Sequence, residues 1–371
     1  MIALSDDYRV RFIADEETYK DPDELLLLAS SEKFVDHEDS SVAVEKQPHV
    51  NRSKRKQQKV IPDLEDIGYF ILGELGSGTY GDVYLAEHMR SGQRVAVKRS
   101  GEVKISTGVP TDVLREASLL RSVRHENILE LFDIKIYEKF VYMIIEHCDV
   151  DLYSLLKFYS SRSHVPGGLV RSILRQLASG LQCMHSKQMA HRDLKPQNIL
   201  IKASGLVKIA DFGMCRFMDA PTKIYTNEVV TLYYRPPELL LGGTSYGCFI
   251  DMWAVGCILA ELAQRRILFK AMSEIDMLRT IFRVLPVPSR DSWPLMDKIS
   301  ACYDPYSLVP PSTKRITLQD AVPRLTGCAL ELLTKLLSVH PINRITAQEM
   351  TQHVFVRDVP LFPLDRGLLF S

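Results

Sequence analysis

Charge of a single sign is missing from this sequence: 46 basic and 46 acidic residues cancel to a formal net charge of zero. That balance removes the whole-molecule field that draws proteins to nucleic acid or anionic membranes, so neither is expected as a direct partner. Paired cysteines are missing too. The seven cysteines (Cys148, Cys183, Cys215, Cys248, Cys257, Cys302 and Cys328) are scattered and never spaced as CxxC. A disulfide framework or zinc site is thereby disfavoured, and a reducing compartment is the natural setting. Long apolar runs are also absent. The longest leucine run, Leu25 to Leu28, falls far short of the roughly 20 residues that cross a bilayer, and no basic start leads into an apolar segment. A soluble, intracellular protein is expected, present in nucleus and cytoplasm.

What is present is an ordinary globular balance, 46% hydrophobic and 25% charged over 371 residues, enough for a large core in one two-lobed unit or in two domains with a tail. Residues 1–66 read differently. Acidic clusters at Asp15-Glu16-Glu17, Asp21-Pro22-Asp23-Glu24 and Glu38-Asp39 precede a basic run from Arg52 to Lys59, the composition of a mostly disordered extension. The basic run reads either as a nuclear localisation signal or as a solvated linker. Arg9-Val10-Arg11-Phe12 resembles a phosphatase-docking tetrapeptide, a pattern short enough to recur by chance.

From about residue 67, apolar and β-branched residues alternate through GYFILGELG, GDVYLAEHM and QRVAVKRS, with Ser91-Gly92 as a turn, and predict an antiparallel meander. A helix is predicted from Thr111 to Val123, where Val113, Leu114, Ala117 and Leu120 recur at helical spacing. The strand-like stretches ILELFDIKI and KFVYMIIEH then give way to helical periodicity in VRSILRQLASGLQCMHS and IDMWAVGCILAELAQ. Strands first and helices later is an α+β pattern, which predicts two lobes with a cleft between them. The lobes are expected over residues 67–146 and 147–355, with a tail over 356–371.

Gly76-Ser77-Gly78-Thr79-Tyr80-Gly81-Asp82-Val83 fits G-x-G-x-x-G-x-V, a turn whose missing side chains let backbone N–H groups approach phosphate oxygens. Alone, it also suits a plain hairpin or a dinucleotide site. The latter needs a helix directly afterwards, whereas Val83-Tyr84-Leu85-Ala86 continues as a strand. Val95-Ala96-Val97-Lys98 places a lysine in an apolar strand, where its ammonium is costly unless it meets an anion such as a nucleotide phosphate. Glu116, on the following helix, is suited to hold that lysine in an ion pair.

His191-Arg192-Asp193-Leu194-Lys195-Pro196-Gln197-Asn198 matches H-R-D-x-x-x-x-N, a highly specific pattern. Asp193 is the candidate base for a substrate hydroxyl, Asn198 a ligand for Mg²⁺, and Lys195 a neutralising charge for a transferring phosphoryl group. His191 is expected to pack in the core. Asp211-Phe212-Gly213 supplies the second metal-holding carboxylate. Glu238, ending Arg235-Pro236-Pro237-Glu238, is expected to pair with Arg344, and Asp251 to bond the catalytic loop from below. Phosphoryl transfer from ATP needs charge neutralisation and in-line placement more than covalent chemistry, and this set supplies both.

These residues resemble those of the protein kinases, and over roughly residues 67–355 the chain resembles the cyclin-dependent kinases of the CMGC group. The resemblance implies a bilobal kinase fold, with a β-rich N-lobe carrying one regulatory helix and an α-rich C-lobe. It places Leu75, the turn Gly76 to Gly81, Val83, Ala96, Lys98 and Gln197 around ATP, Glu146 and Cys148 at the adenine through their backbones, and Asp151 at the ribose. Lys195 marks a serine/threonine kinase. Pro110-Thr111-Asp112-Val113-Leu114-Arg115-Glu116 resembles the family's cyclin-binding helix, with Leu114 as the residue buried against a cyclin-type regulatory subunit. Thr226 matches the activating phosphorylation site, with Arg115, Arg192 and Arg216 as its cationic partners. Thr79 and Tyr80 match inhibitory phosphorylation sites. Val230, Thr231, Leu232 and Arg235 match the substrate pocket that accepts proline, implying protein substrates with Ser/Thr-Pro sites.

Tyr233 in place of tryptophan, Pro236 in place of alanine and His340 in place of aspartate leave a cell-cycle role and a transcription-linked role both open. A cyclin-independent CMGC kinase is a further alternative. A pseudokinase scaffold is disfavoured, because Lys98, Asp193 and Asp211 are all present.

Overall fold

The alternation between residues 67 and 147 becomes five strands: β1 (Tyr69–Gly78), β2 (Gly81–His88), β3 (Arg94–Glu102), β4 (Leu131–Tyr137) and β5 (Phe140–Glu146). They form one antiparallel sheet in the order β1-β2-β3-β5-β4. The structure, a computed structural model, describes residues 62–78, 81–103, 108–161, 164–218, 232–243, 247–289, 291, 293, 296, 306–308, 314–365 and 367. Thr79, Tyr80, Thr226, Val230, Thr231 and the motifs of residues 1–61 lie outside these. Two compact units are distinguished, one holding the five-stranded sheet, the other Ser118–Glu130 and everything from Cys148 onward.

In the first unit, the period of two sorts β3 into two faces. Val95 and Val97 join Tyr84, Ala86, Tyr142 and Ile144 in a dry cluster, completed by Leu64, Ile67 and Tyr69. The lid on this face is a short helix, α1 (Pro62–Asp66), which lies ahead of the lobe boundary expected at residue 67. Leu64 is fully buried there. The entry is tied by Lys135 Nζ, which donates to the Ile67 carbonyl at 2.7 Å, and by the Tyr137 hydroxyl, which donates to Asp66 at 2.8 Å. The opposite face of β3 carries Lys98, which stands opposite Met143 of β5 and Val83 of β2. The predicted helix follows as α2 (Thr111–Ser122).

The second unit is mostly helical: α3 (Leu152–Ser160), α4 (Gly167–Ser186), α5 (Pro237–Leu240), α6 (Phe249–Gln264), α7 (Glu274–Val284), α8 (Leu318–Ala321), α9 (Cys328–Leu336) and α10 (Ala347–Gln352). Every residue of α6 from Ile250 to Leu262 is buried, so it is a central helix with no solvent face. Short strands carry the loops: β6 (Val150–Asp151), β8 (Ile199–Ile201) and β9 (Val207–Ile209) form one sheet, β7 (Met189–Ala190) and β10 (Arg216–Phe217) another. Residues 356–365 of the stretch read as a tail are folded against this unit. Arg175 donates to the Val359 carbonyl at 2.6 Å, Leu364 N–H donates to Ala203 at 3.1 Å, and Val356, Val359 and Leu364 are buried. The architecture is α+β, as expected. Among the described residues no helix is long and apolar enough to cross a membrane.

Candidate active site

In the first unit the lysine expected to need an anion has one. Lys98 Nζ donates to both carboxylate oxygens of Glu116, at 2.7 and 2.8 Å, with side chains only 12% and 10% exposed. The pair forms because strand alternation and helical spacing aim both residues at one place. Val113, Ala117 and Leu120 bury the same side of α2 that carries Glu116. Ala96 and Glu146 are buried, Val83 and Leu114 are half-buried, and Leu75 and Arg115 are exposed.

Two glycines of the turn have different reasons to be glycine. Gly81 has φ +118°, and a Cβ there would stand 2.0 Å from the Arg99 carbonyl oxygen, so the fold itself demands it. At Gly76 a Cβ would meet nothing within 4 Å. Packing does not explain Gly76, and the open space suits backbone amides that must be reached by phosphate.

In the second unit the loop from His191 to Asn198 is built around Asp193. Lys195 Nζ donates to Asp193 Oδ2 at 2.6 Å, and Asn198 Nδ2 donates to the Asp193 carbonyl at 2.8 Å and to Oδ2 at 3.1 Å. His191 is fully buried, as expected. Its Nε2 donates to the Ala210 carbonyl at 2.9 Å, its Nδ1 accepts from Asp193 N–H at 3.3 Å, and its ring meets Phe212 edge-on. Both ring nitrogens are thus engaged, which leaves none for a metal. Asp251, at the start of α6, supports the loop: Oδ2 accepts from His191 N–H and Oδ1 from Arg192 N–H, both at 2.8 Å. His185 Nε2 donates to the same carboxylate at 2.9 Å. Burial pushes the Asp251 carboxyl up. The His185 hydrogen bond and charge, the field of His191 and the Arg192 amide outweigh it and hold the carboxyl below its ordinary value.

Asp211 follows β9, and Ala210 N–H donates to the Asn198 carbonyl at 2.9 Å, so the two candidate metal ligands are joined through the backbone. Arg192 and Asp211 both adopt left-handed φ, 72° and 66°. That conformation is costly for a side-chain-bearing residue and persists only where the surroundings impose it. Arg192 donates to the Met214 carbonyl at 3.3 Å, and Arg216 to Gly213 at 3.2 Å and Cys215 at 2.6 Å. Two of the three arginines expected around Thr226 thus converge on one turn.

Asp151, expected at a ribose, is also the N-cap of α3, accepting from Ser154 N–H at 2.8 Å. Cys148 is half-buried and Gln197 exposed. Arg344 clasps Glu238 with two bonds of 2.6 Å, as expected. Leu232 lies in a 3₁₀ turn, Leu232–Tyr234, and Arg235 follows it.

Sequence reasoning missed a buried amide pair. Asn127 Nδ2 donates to Gln176 Oε1 and to the Val207 carbonyl, both at 3.0 Å, and Gln176 Oε1 accepts from Val207 N–H at 2.8 Å. It pins β9, the strand that leads to Asp211. The only signal in the chain was a glutamine placed among apolar residues of α4. Residues 69–356, well over half of the chain, match the family model described as Protein kinase domain.

Proposed function

The chain belongs to the protein kinase family, and we propose that within it this is a cyclin-activated serine/threonine kinase acting on Ser/Thr-Pro sites. The observation that carries the reading is the 2.6 Å bond from Lys195 to Asp193. It sets an ammonium on the carboxylate that receives the substrate hydroxyl, the arrangement implied for a serine or threonine acceptor.

Membership implies ATP with a divalent metal ion, which together provide the transferable phosphoryl group and neutralise its charge. Asn198 and Asp211 would hold the metal. Among the described residues no group of three or more His, Cys, Asp or Glu side chains is placed to bind one. Mg²⁺ takes one or two protein ligands and completes its shell with phosphates and water. Asp193 orients the substrate hydroxyl and takes its proton. Lys195 screens the developing charge, and Lys98, held by Glu116, is the cation for the remaining phosphates.

The resemblance of Pro110–Glu116 to a cyclin-binding helix, with Leu114 half-buried at its middle, supports a cyclin-type partner. A cell-cycle role, with the protein in nucleus and cytoplasm, follows from the same likeness. Transfer of labelled phosphate to a Ser-Pro peptide by the chain with its activating partner is the test. Activity should fall by about 10²- to 10⁴-fold in Asp193→Asn. The chain alone should be nearly inactive, and Leu114→Ala should block activation. Full activity in the Asn variant overturns the role of Asp193, and high activity in the purified monomer overturns partner dependence.

A further inference from the structure

The strand alternation that aims Lys98 at Glu116 puts Ser100 on the same face of β3. Directly opposite on β5, Lys98 faces Met143 and Ser100 faces Val141, both apolar and buried. Ser100 is itself only 2% exposed, and its hydroxyl has no hydrogen-bond partner. The ion pair beside it has no use for that hydroxyl, since Lys98 Nζ already donates to both Glu116 oxygens. Nor does the strand call for serine. The neighbouring Val95 and Val97 show the β-branched residues that suit it.

Helix α2 closes over this face. Glu116 meets Lys98 there, and Val113 and Ala117, one turn before Glu116 and one residue after it, are buried with it. A buried hydroxyl without a partner is unfavourable, because it has given up hydrogen bonds to water and gained none in return. An apolar side chain in its place would carry no such penalty.

We propose that Ser100 is a brake built into the seat of α2, a hydroxyl that weakens the arrangement in which Glu116 holds Lys98, so that a bound partner is needed to maintain it. The inference rests on the partner-dependent reading above. With the helix lifted, water reaches the hydroxyl and satisfies it. With the helix seated, the hydroxyl is dry and unsatisfied, so the serine favours the lifted state over the one that carries the ion pair. A partner that binds the seated helix more tightly offsets this bias.

The test compares Ser100→Val with Ser100→Thr in the full chain, with and without its activating partner. The two side chains have the same shape, and only threonine keeps the hydroxyl. In the chain alone, Ser100→Val should slow hydrogen exchange of the α2 amides about tenfold relative to wild type, and raise kcat/KM on a Ser-Pro peptide by a similar factor. In the complex neither quantity should change, because the partner already holds the helix. Ser100→Thr should behave as the wild type in both states. Ser100→Ala removes the hydroxyl without adding volume and takes the place of the valine variant should that one fold poorly. Unchanged exchange and activity in the Val and Ala variants alone overturn the proposal. An equal gain in Ser100→Thr overturns it too, since packing and not the hydroxyl would then be responsible, as does the same shift in free chain and complex, which marks a general structural effect. Equal activity of the wild type with and without its partner overturns partner dependence itself, and the brake with it. That comparison is read before any variant is made.

Discussion

Lys98 and Asp193 are fixed in opposite ways. Lys98 depends on one partner, Glu116, presented by a helix. Asp193 sits in a loop held by Asp251 through two backbone amides, by Asn198 through two bonds and by a buried histidine through its own N–H. A residue tied by one ion pair is released by a small movement of the helix that carries its partner. A loop tied by five bonds moves only when several break together. The first arrangement lends itself to switching, the second to a permanently formed loop.

Breaking the loop at its base gives the largest effect. Asp251→Ala leaves two buried backbone donors and the His185 ring without an acceptor, each worth about 1–3 kcal/mol. Unfolding free energy of the second unit should drop by about 3–6 kcal/mol, read by denaturant titration, and activity should disappear with it. A variant that stays as stable and as active as the wild type would show that the loop is not fixed from below.

The lysine pair should separate activity from stability. Lys98→Met should cost about 10²- to 10³-fold in kcat, the range for a single electrostatic stabiliser. The double variant Lys98→Met with Glu116→Leu should keep its unfolding free energy within about 1 kcal/mol of wild type, because a buried ion pair exchanged for apolar groups is often neutral or better. It should remain inactive. Recovery of activity in the double variant would mean that the pair serves the fold and the chemistry does not need the lysine.

Leu64→Ala sharpens the contrast from the other side of the same sheet. Leu64 seals the face of β3 that carries no functional residue, and its loss should cost about 2–3 kcal/mol of stability, the low end for a core leucine, because a helix of one turn relaxes easily. kcat of the folded fraction should not change. A lowered kcat at full folding would show that the two faces are coupled.

The strands, α2 and the motifs from Gly76 to Asp211 were legible because each follows a local rule: alternation, helical spacing, or a fixed run of residue types. Helix α1 was not, because a single buried leucine after a polar stretch makes no period. The left-handed φ at Arg192 and Asp211 had no sequence signal either, since neither is glycine. The surroundings impose it. His340 shows a departure explained by structure. Its Nδ1 caps the turn Pro341–Asn343 by accepting from Ile342 N–H at 3.3 Å, a task an aspartate would share. Burial and then the nearby Arg344 charge hold its pKa down, which keeps that nitrogen available as an acceptor.

The smallest effect comes from two carboxylates on one helix. Asp251 and Glu261 are both buried in α6, yet they are shifted in opposite directions. Asp251 accepts from two amides and a histidine. Its lowered pKa contributes stability that is present above its ordinary 3.8 and lost as pH falls through the folded value. For Glu261 burial outweighs the one hydroxyl it accepts from Tyr234, and its carboxyl is raised above 4.5. The sign reverses: protonated Glu261 is tolerated below that value, and stability is lost as pH rises through the folded pKa. Glu261→Gln keeps an oxygen for the Tyr234 hydroxyl and removes the ionisation. Between pH 4.5 and the folded pKa, the variant should gain on the wild type by up to about 1.4 kcal/mol per pH unit. Paired denaturant titrations across that range read the difference directly. A constant offset at all pH values would mean that Glu261 does not titrate there, and that the Tyr234 bond alone satisfies its charge.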